Sequence, residues 1–357
     1  MCWLKYSKAV LLSIPIASYW SVERLALIYF SYAQQGHKLN GTGITVNFSM
    51  QLDHYVNTFG VYLKEKYQQR VKKLTINGAF TCPNRDGTLG KGGCTFCNVE
   101  SFNPSTNQIS IAQQLNRGKA EHGTKSSQYL AYFQAYTSTY EEVEVLRQKY
   151  QQALTQANII GLCVGTRPDC VPDEVLKLLK EYVDQGYEVW LELGLQSASD
   201  KTLKRINRGH QFSAYQDAVN RAAAYGIKVC SHLIIGLPGE QLSEAMYTLE
   251  QVLNLPLAGL KLHPLHIVKG STMAKAWQAK RINVLSMSEY AAIAGELIRH
   301  TPKDIIFHRV SATAHKEVLL APSWCLLRWP SINEVCRNLD AYGGQAAALT
   351  DKYQYQR

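Results

Sequence analysis

Cys82, Cys94 and Cys97 stand in a Cys-x11-Cys-x2-Cys arrangement within the stretch 81–98. Three thiols this close along the chain can give three soft thiolates to one inorganic centre. Gly87, Gly90, Gly92 and Gly93 populate the long first gap, and residues without a Cβ let such a loop fold back sharply. Three ligands on one loop suggest an iron–sulfur cluster with one iron left open. Two other uses of the thiols stay open on this stretch alone. A structural zinc site closes with four ligands, and Cys163 or Cys170 would supply the fourth. A redox disulfide needs an oxidising compartment and is commonest in small domains.

Further polar residues interrupt or end apolar runs. Arg167, in Gly165-Thr-Arg-Pro-Asp-Cys170, offers a fixed fork for a carboxylate or phosphate, although an internal pair with Asp169 would use it equally well. Glu192 and Lys261 each sit inside an apolar run, where a charge needs a partner or a task. Tyr132, Tyr136, Arg208, His210, His232, His263 and His266 are candidates to line a substrate pocket. The plain alternative for each histidine is a satisfied place in the core.

The elements that must position these residues follow a rhythm. Apolar, β-branched or aromatic runs recur at 74–80, 129–136, 159–164, 188–195, 228–235 and 259–266. Helical spacing lies between them, as in Val143, Leu146, Tyr150 and Leu154, or Val175, Leu178, Leu179 and Tyr182. Pro172 and Asp173 mark a helix start and Gly186 a stop, while Ser213 and Ser243 are the expected caps of the next two helices. Six strand–helix units predict an all-parallel sheet covered by helices. The polar candidates cluster after the C-terminal ends of all six runs, which favours a partial barrel with its site on that face. A doubly wound sheet would gather them at one switch point, and no Gly-x-Gly-x-x-Gly or Walker A sequence is present.

Taken together these stretches resemble the radical S-adenosylmethionine (SAM) superfamily, nearest its YhcC-type bacterial branch, relatives of the catalytic subunit of Elongator. The resemblance rests on the three cysteines and, in order, on Glu192-Leu-Gly-Leu-Gln-Ser197, Asn207-Arg-Gly-His210, His232-Leu-Ile-Ile-Gly-Leu-Pro-Gly239 and Lys261-Leu-His-Pro264. It covers residues 50 to 340 or so. It implies a partial (β/α)6 TIM-like barrel and a [4Fe-4S] cluster on Cys82, Cys94 and Cys97. It further implies reductive cleavage of SAM to a 5′-deoxyadenosyl radical that abstracts hydrogen from a substrate. By the same likeness Glu192 and Gln196 would meet the ribose or methionine end of SAM. Gly236 and the backbone at Leu237 would meet the adenine, Arg167 the carboxylate, and Phe96 would shield the cluster. An electron donor such as flavodoxin or ferredoxin is implied as partner. Two departures stand out. The commoner spacing is Cys-x3-Cys-x2-Cys, though a longer first gap occurs in the Elongator-like branch. The Gly-Gly-Glu that often holds the SAM amino group is replaced by Gln134–Thr139. No acetyltransferase-like stretch follows, so the full Elongator-type reaction is not expected.

Composition bounds the partners. The net charge of +10 favours an anionic one, RNA or a small anionic substrate. Nine cysteines scattered over 357 residues fit a reducing, cytoplasmic setting. The apolar run 9–18 is interrupted by Pro15 and too short to span a bilayer, so no membrane association is expected. Met50 could be the true start. The expected division is an extension at 1–49, a core at 50–302 and a closing segment at 303–357. Cys325 and Cys336, in that last segment, read as buried thiols. The rival reading of the whole is a non-catalytic, metal- or cluster-stabilised RNA-binding module. Such a module has no need of polar residues from strands 4, 5 and 6 around one pocket.

Overall fold

The computed structural model describes residues 51–98, 109–122 and 128–349, all within one unit, Ser49–Arg357. The expected extension at 1–49 lies outside the described residues. In chain order the elements are α1 (Phe59–Tyr67), β1 (Val71–Ile76), α2 (Pro83–Asp86), α3 (Ile111–His122), β2 (Gln128–Phe133), α4 (Val143–Leu154), β3 (Ile159–Thr166), α5 (Asp173–Asp184) and β4 (Glu188–Gln196). There follow α6 (Asp200–Arg205), α7 (Phe212–Ala224), β5 (Lys228–Ile235), α8 (Leu242–Leu253), β6 (Gly259–Pro264), β7 (Ile267–Val268), α9 (Thr272–Gln278), α10 (Met287–Arg299), β8 (Ile306–Arg309), β9 (Leu319–Ala321) and α11 (Arg328–Tyr342).

Seven strands form one sheet in the order β1-β2-β3-β4-β5-β6-β8, and every neighbouring pair is parallel. Strand order that follows chain order, with helices on the connections, curls the sheet into the half-barrel of a partial TIM fold. The six expected strands are present. β8 is a seventh, which sequence patterning missed because it is four residues long and ends in His308 and Arg309. β1 runs earlier than its apolar pattern predicts. Gln114 brackets Asn77, accepting from its N–H and donating to its C=O, and the next residues leave the sheet. The expected caps also shift: α7 starts after Gln211 and α8 after Gln241, so Ser213 and Ser243 lie inside their first turns.

Alternation along β4 shows how the sheet divides its work. Val189, Leu191, Leu193 and Leu195 face the helices and join the main apolar core. Glu192, Gly194 and Gln196 face the barrel interior, as a period of two requires. Trp190, one layer below, packs with Phe59 and Leu63 of α1, Leu130, Cys163 and Cys230 into a second apolar layer. Helix α1 thereby plugs the N-terminal end of the barrel. The cavity opens at the other end.

Candidate active site

The cysteine loop folds on itself. After Cys82 the chain makes the single turn α2, and the N–H groups of Leu89 and Gly90 return to the carbonyl of Pro83. Asp86 then bridges to Lys91, and the Gly93 N–H donates to Asn84 O at 2.8 Å. Gly93 takes φ +77, and a Cβ there would stand 2.7 Å from Arg85 Nε. The eleven-residue gap is thus a small knot of turns that carries Cys94 back beside Cys82. All three thiols are free and line one cavity with Arg85 and Phe96. Cys163 and Cys170, the candidates for a fourth zinc ligand, are buried elsewhere and do not line it. Among the described residues no three His, Cys, Asp or Glu side chains converge as a single-ion site. Thiolates on different irons of one cluster need no such convergence.

The turn after β4 clasps this loop. Asn207 Nδ2 donates to Gly93 O at 2.8 Å, and the Thr95 N–H donates to Ile206 O at 2.9 Å. Asn84 Nδ2 reaches Asn207 O at 2.6 Å and Cys94 Sγ at 3.6 Å. Arg208 donates from Nη1 to Cys94 Sγ at 3.4 Å and from Nε and Nη2 to Gly194 O. Two buried donors on one sulfur suit a thiolate that carries charge to a metal. Burial, with the charge of Cys94 adding to it, pushes the Cys97 thiol up to about 11, while Arg85 and Arg208 pull it down.

Arg167 spends most of its fork on Asp169, through Nε at 2.9 Å and Nη2 at 2.8 Å, with Nη2 also donating to Arg208 O. Its Nη1 is buried without a partner, and the side chain lines the cavity. Thr137 Oγ1 is a second orphaned polar atom on the same wall. The internal pair with Asp169 expected as the plain use of Arg167 is present, and Nη1 is the nitrogen it leaves over.

Glu192 is fully buried on the cavity floor. Lys73 and Lys261 donate to it, with His232 Nε2 at 3.0 Å and His308 Nδ1 at 3.3 Å. Lys261 also donates to Tyr132 Oη at 2.9 Å. Burial alone would raise the Glu192 carboxyl, but the two lysines outweigh it and hold the group well below the usual carboxylate range. For Lys261 burial wins instead, helped by the charges of Lys73 and Arg309, and the ammonium falls to about 8.

Of the residues singled out from sequence, Phe96, Arg167, Glu192 and Gln196 line the cavity with the three cysteines. So do Tyr132, Tyr136, Arg208, His232, His263 and His266. Gly236, Leu237 and His210 do not. Leu237 is buried in a satellite apolar cluster with Leu203, Ile206 and Leu265, against which Phe96 packs. Gly236 takes φ +91 with Leu285 and Leu265 beside it. Gln196 and Tyr136 hold left-handed backbone at φ 81 and 61, and a register shift on β4 accompanies the first. Such conformations cost about 1–2 kcal/mol per residue and cluster at functional sites. Sequence reasoning held Asn84, Thr137 and Arg309 only as members of the cysteine loop, the 134–139 stretch and the closing segment, and singled out none of them. Only the Asn-Arg-Gly motif hinted at Asn84, which it clasps across 123 positions.

Comparison with known proteins agrees with this arrangement. The radical SAM superfamily model matches residues 82–252, and the model of its C-terminal domain matches 257–341. Protein YhcC of Escherichia coli K12 is 60% identical over 301 residues, covering 84% of this chain and 97% of that one. YtqA of Bacillus subtilis is 35% identical over 297 residues, covering 81% and 92%. The structure of an N-terminally shortened archaeal Elp3 from Methanocaldococcus infernus aligns with a TM-score of 0.56 at 15% identity. That alignment covers 76% of this chain and 63% of the Elp3 chain, and it speaks for the fold alone.

Proposed function

Because this chain belongs to the radical SAM superfamily and is a radical SAM enzyme, we propose that Cys82, Cys94 and Cys97 hold a [4Fe-4S] cluster, with SAM beside it in the cavity. One observation carries this reading: three free thiols open on one cavity, and among the described residues no fourth cysteine lines it. When bound, such a cluster supplies the electron that splits the sulfonium of SAM into methionine and a 5′-deoxyadenosyl radical, which takes a hydrogen atom from the substrate.

The chain's own residues position and protect. Arg208 and Asn84 donate to the Cys94 sulfur and hold its loop. Arg167 Nη1, without a protein partner, is the proposed contact for the SAM carboxylate. Gln196, turned by the register shift, is proposed to meet the ribose or methionine end. Glu192 has its oxygens taken by lysines and histidines, so its proposed part is to fix Lys261 and His232 rather than to touch SAM. Phe96, packed against the cluster that holds Leu237, is the proposed apolar wall for the adenine and keeps water off, with Gly236 next to Leu237 in the chain. The substrate proposed is anionic, RNA or a small molecule, because arginine and lysine outnumber acids around the cavity. The electron donor proposed is a small redox protein such as flavodoxin or ferredoxin.

The test is anaerobic reconstitution with iron and sulfide, then dithionite reduction with SAM and chromatography of 5′-deoxyadenosine. Wild type should hold four irons per chain, and Cys94→Ala should lose both the iron and the product. A wild-type protein that takes up zinc and leaves SAM intact would overturn the reading.

A further inference from the structure

Among the described residues four arginines line the cavity, and three of them are engaged. Arg85 donates to Cys97 O, Arg167 to Asp169, and Arg208 to Gly194 O and the Cys94 sulfur. The fourth, Arg309, ends the seventh strand of the sheet beside its register partner Lys261 of β6, is half-buried, and its guanidinium has no hydrogen-bond or ion-pair partner among the described residues. Its charge bears on Lys261, His232, His263 and His266. Arg167 is instead the guanidinium whose environment includes Cys82 and Cys94. The two therefore serve different parts of the cavity.

The charges around Arg309 do not balance. Lys73 and Lys261 are both paired with the carboxylate of Glu192, and Arg309, the register partner of Lys261, adds a third positive charge beside them. The nearby imidazoles add no negative charge. His263 and His266 stack edge to face at 4.5 Å, and burial holds both well into the neutral form at pH 7. His266 has a buried Nε2 with no partner among the described residues. A guanidinium drawn halfway out of water with its fork empty is costly unless an oxyanion fills it. Its planar donors match carboxylate and phosphate alike.

We propose that this end of the cavity is an oxyanion subsite for the substrate, in which Arg309 grips a carboxylate or phosphate group with Lys261 beside it. This rests on the reading above that the cavity is the active site. It assigns Arg309 to the substrate and not to SAM.

Equilibrium dialysis of the full chain against labelled inorganic phosphate and, separately, labelled acetate tests this, with SAM binding measured in parallel. Wild type should take up at least one of the two anions, and which one distinguishes a phosphoryl from a carboxylate source. Arg309→Gln should weaken that uptake at least tenfold, and Arg309→Lys, which keeps the charge and loses the fork, should fall between. Uptake by neither anion, or equal uptake by Arg309→Gln, overturns the subsite. Loss of SAM binding in step with the anion also overturns it, because the guanidinium would then hold the cofactor. Reductive SAM cleavage on the same preparation reports on the radical reading separately. A wild type that binds phosphate through Arg309 yet never cleaves SAM supports the subsite and sinks the radical chemistry.

Discussion

At the scale of single residues, the centre depends on side chains that are neither ligands nor solvent-facing. Arg208 is the clearest. Its guanidinium is buried and joins the end of β4 to the Cys94 sulfur. Arg208→Leu removes the guanidinium donors to Gly194 O and one of the two donors to the sulfur, at a cost of about 2–3 kcal/mol. The apo protein should melt on the order of 5 °C lower. Its iron content after reconstitution should fall as well, because the Cys94 loop is no longer clasped. An unchanged melting temperature and full iron would show the contact to be dispensable. Part of this was readable beforehand, since Asn207-Arg-Gly-His210 stood out as a motif. Its partner was not, because Asn84 and Arg208 are 124 residues apart and only the fold brings both to one sulfur.

At the scale of elements, α1 and β4 meet around Glu188, at the end of the barrel away from the thiols. The carboxylate is fully buried and accepts from Tyr62 at 2.9 Å, Tyr67 at 2.9 Å, Trp190 at 2.7 Å and Lys228 at 2.8 Å, with Lys66 also bound. Burial pushes its pKa up, but the hydrogen bonds from Lys228 and Lys66 win and hold it at about 2. A carboxyl depressed in the folded state stabilises fully above its unfolded pKa, and that stability is lost as the pH falls through the folded value. The contribution should thus be complete above about pH 5 and vanish between about 4.5 and 2. Glu188→Gln should cost about 2–3 kcal/mol at pH 7, the lysines being partly exposed. It should also flatten the acid side of the stability profile, measured by urea unfolding at a series of pH values. A parallel acid slope in both proteins would assign the effect to other carboxylates. Sequence placed Glu188 only at the start of an apolar run; the five donors come from three separate elements.

At the scale of the whole described unit, the two ends of the core are tied to each other. Gln345 Oε1 accepts from Asn57 N at 2.7 Å, and its Nε2 donates to Pro302 O at 2.6 Å and Ile305 O at 2.8 Å. The Asn57 carbonyl in turn accepts from Phe307 N at 2.8 Å, beside the outer edge of β8. Edge strands left bare invite pairing with other chains, so this tie covers part of that edge as well as closing the unit. Gln345→Ala removes the acceptor of the Asn57 N–H and a donor to Pro302 O and Ile305 O, the former keeping only its bond from Ile305 N, and should cost about 2–4 kcal/mol. A shift of the urea midpoint toward lower concentration with the slope unchanged would confirm a loss of stability alone. A midpoint equal to wild type would mean that water replaces the amide. No helix among the described residues is long and apolar enough to cross a membrane.

The parallel strand–helix order, the cysteine loop and most of the cavity's polar residues were set by sequence alone. They are local: a period of two or 3.6, a thiol spacing, a polar residue at a strand end. The tertiary structure decided which charges meet. Glu192 and Lys261 each demanded a partner, but only the curl of the sheet puts Lys73 of β1, Lys261 of β6 and His308 of β8 around one carboxylate. The same curl leaves the Arg309 guanidinium with none among the described residues. Pairing across a barrel depends on strand register and on which face each residue takes, and these are fixed only when distant segments pack.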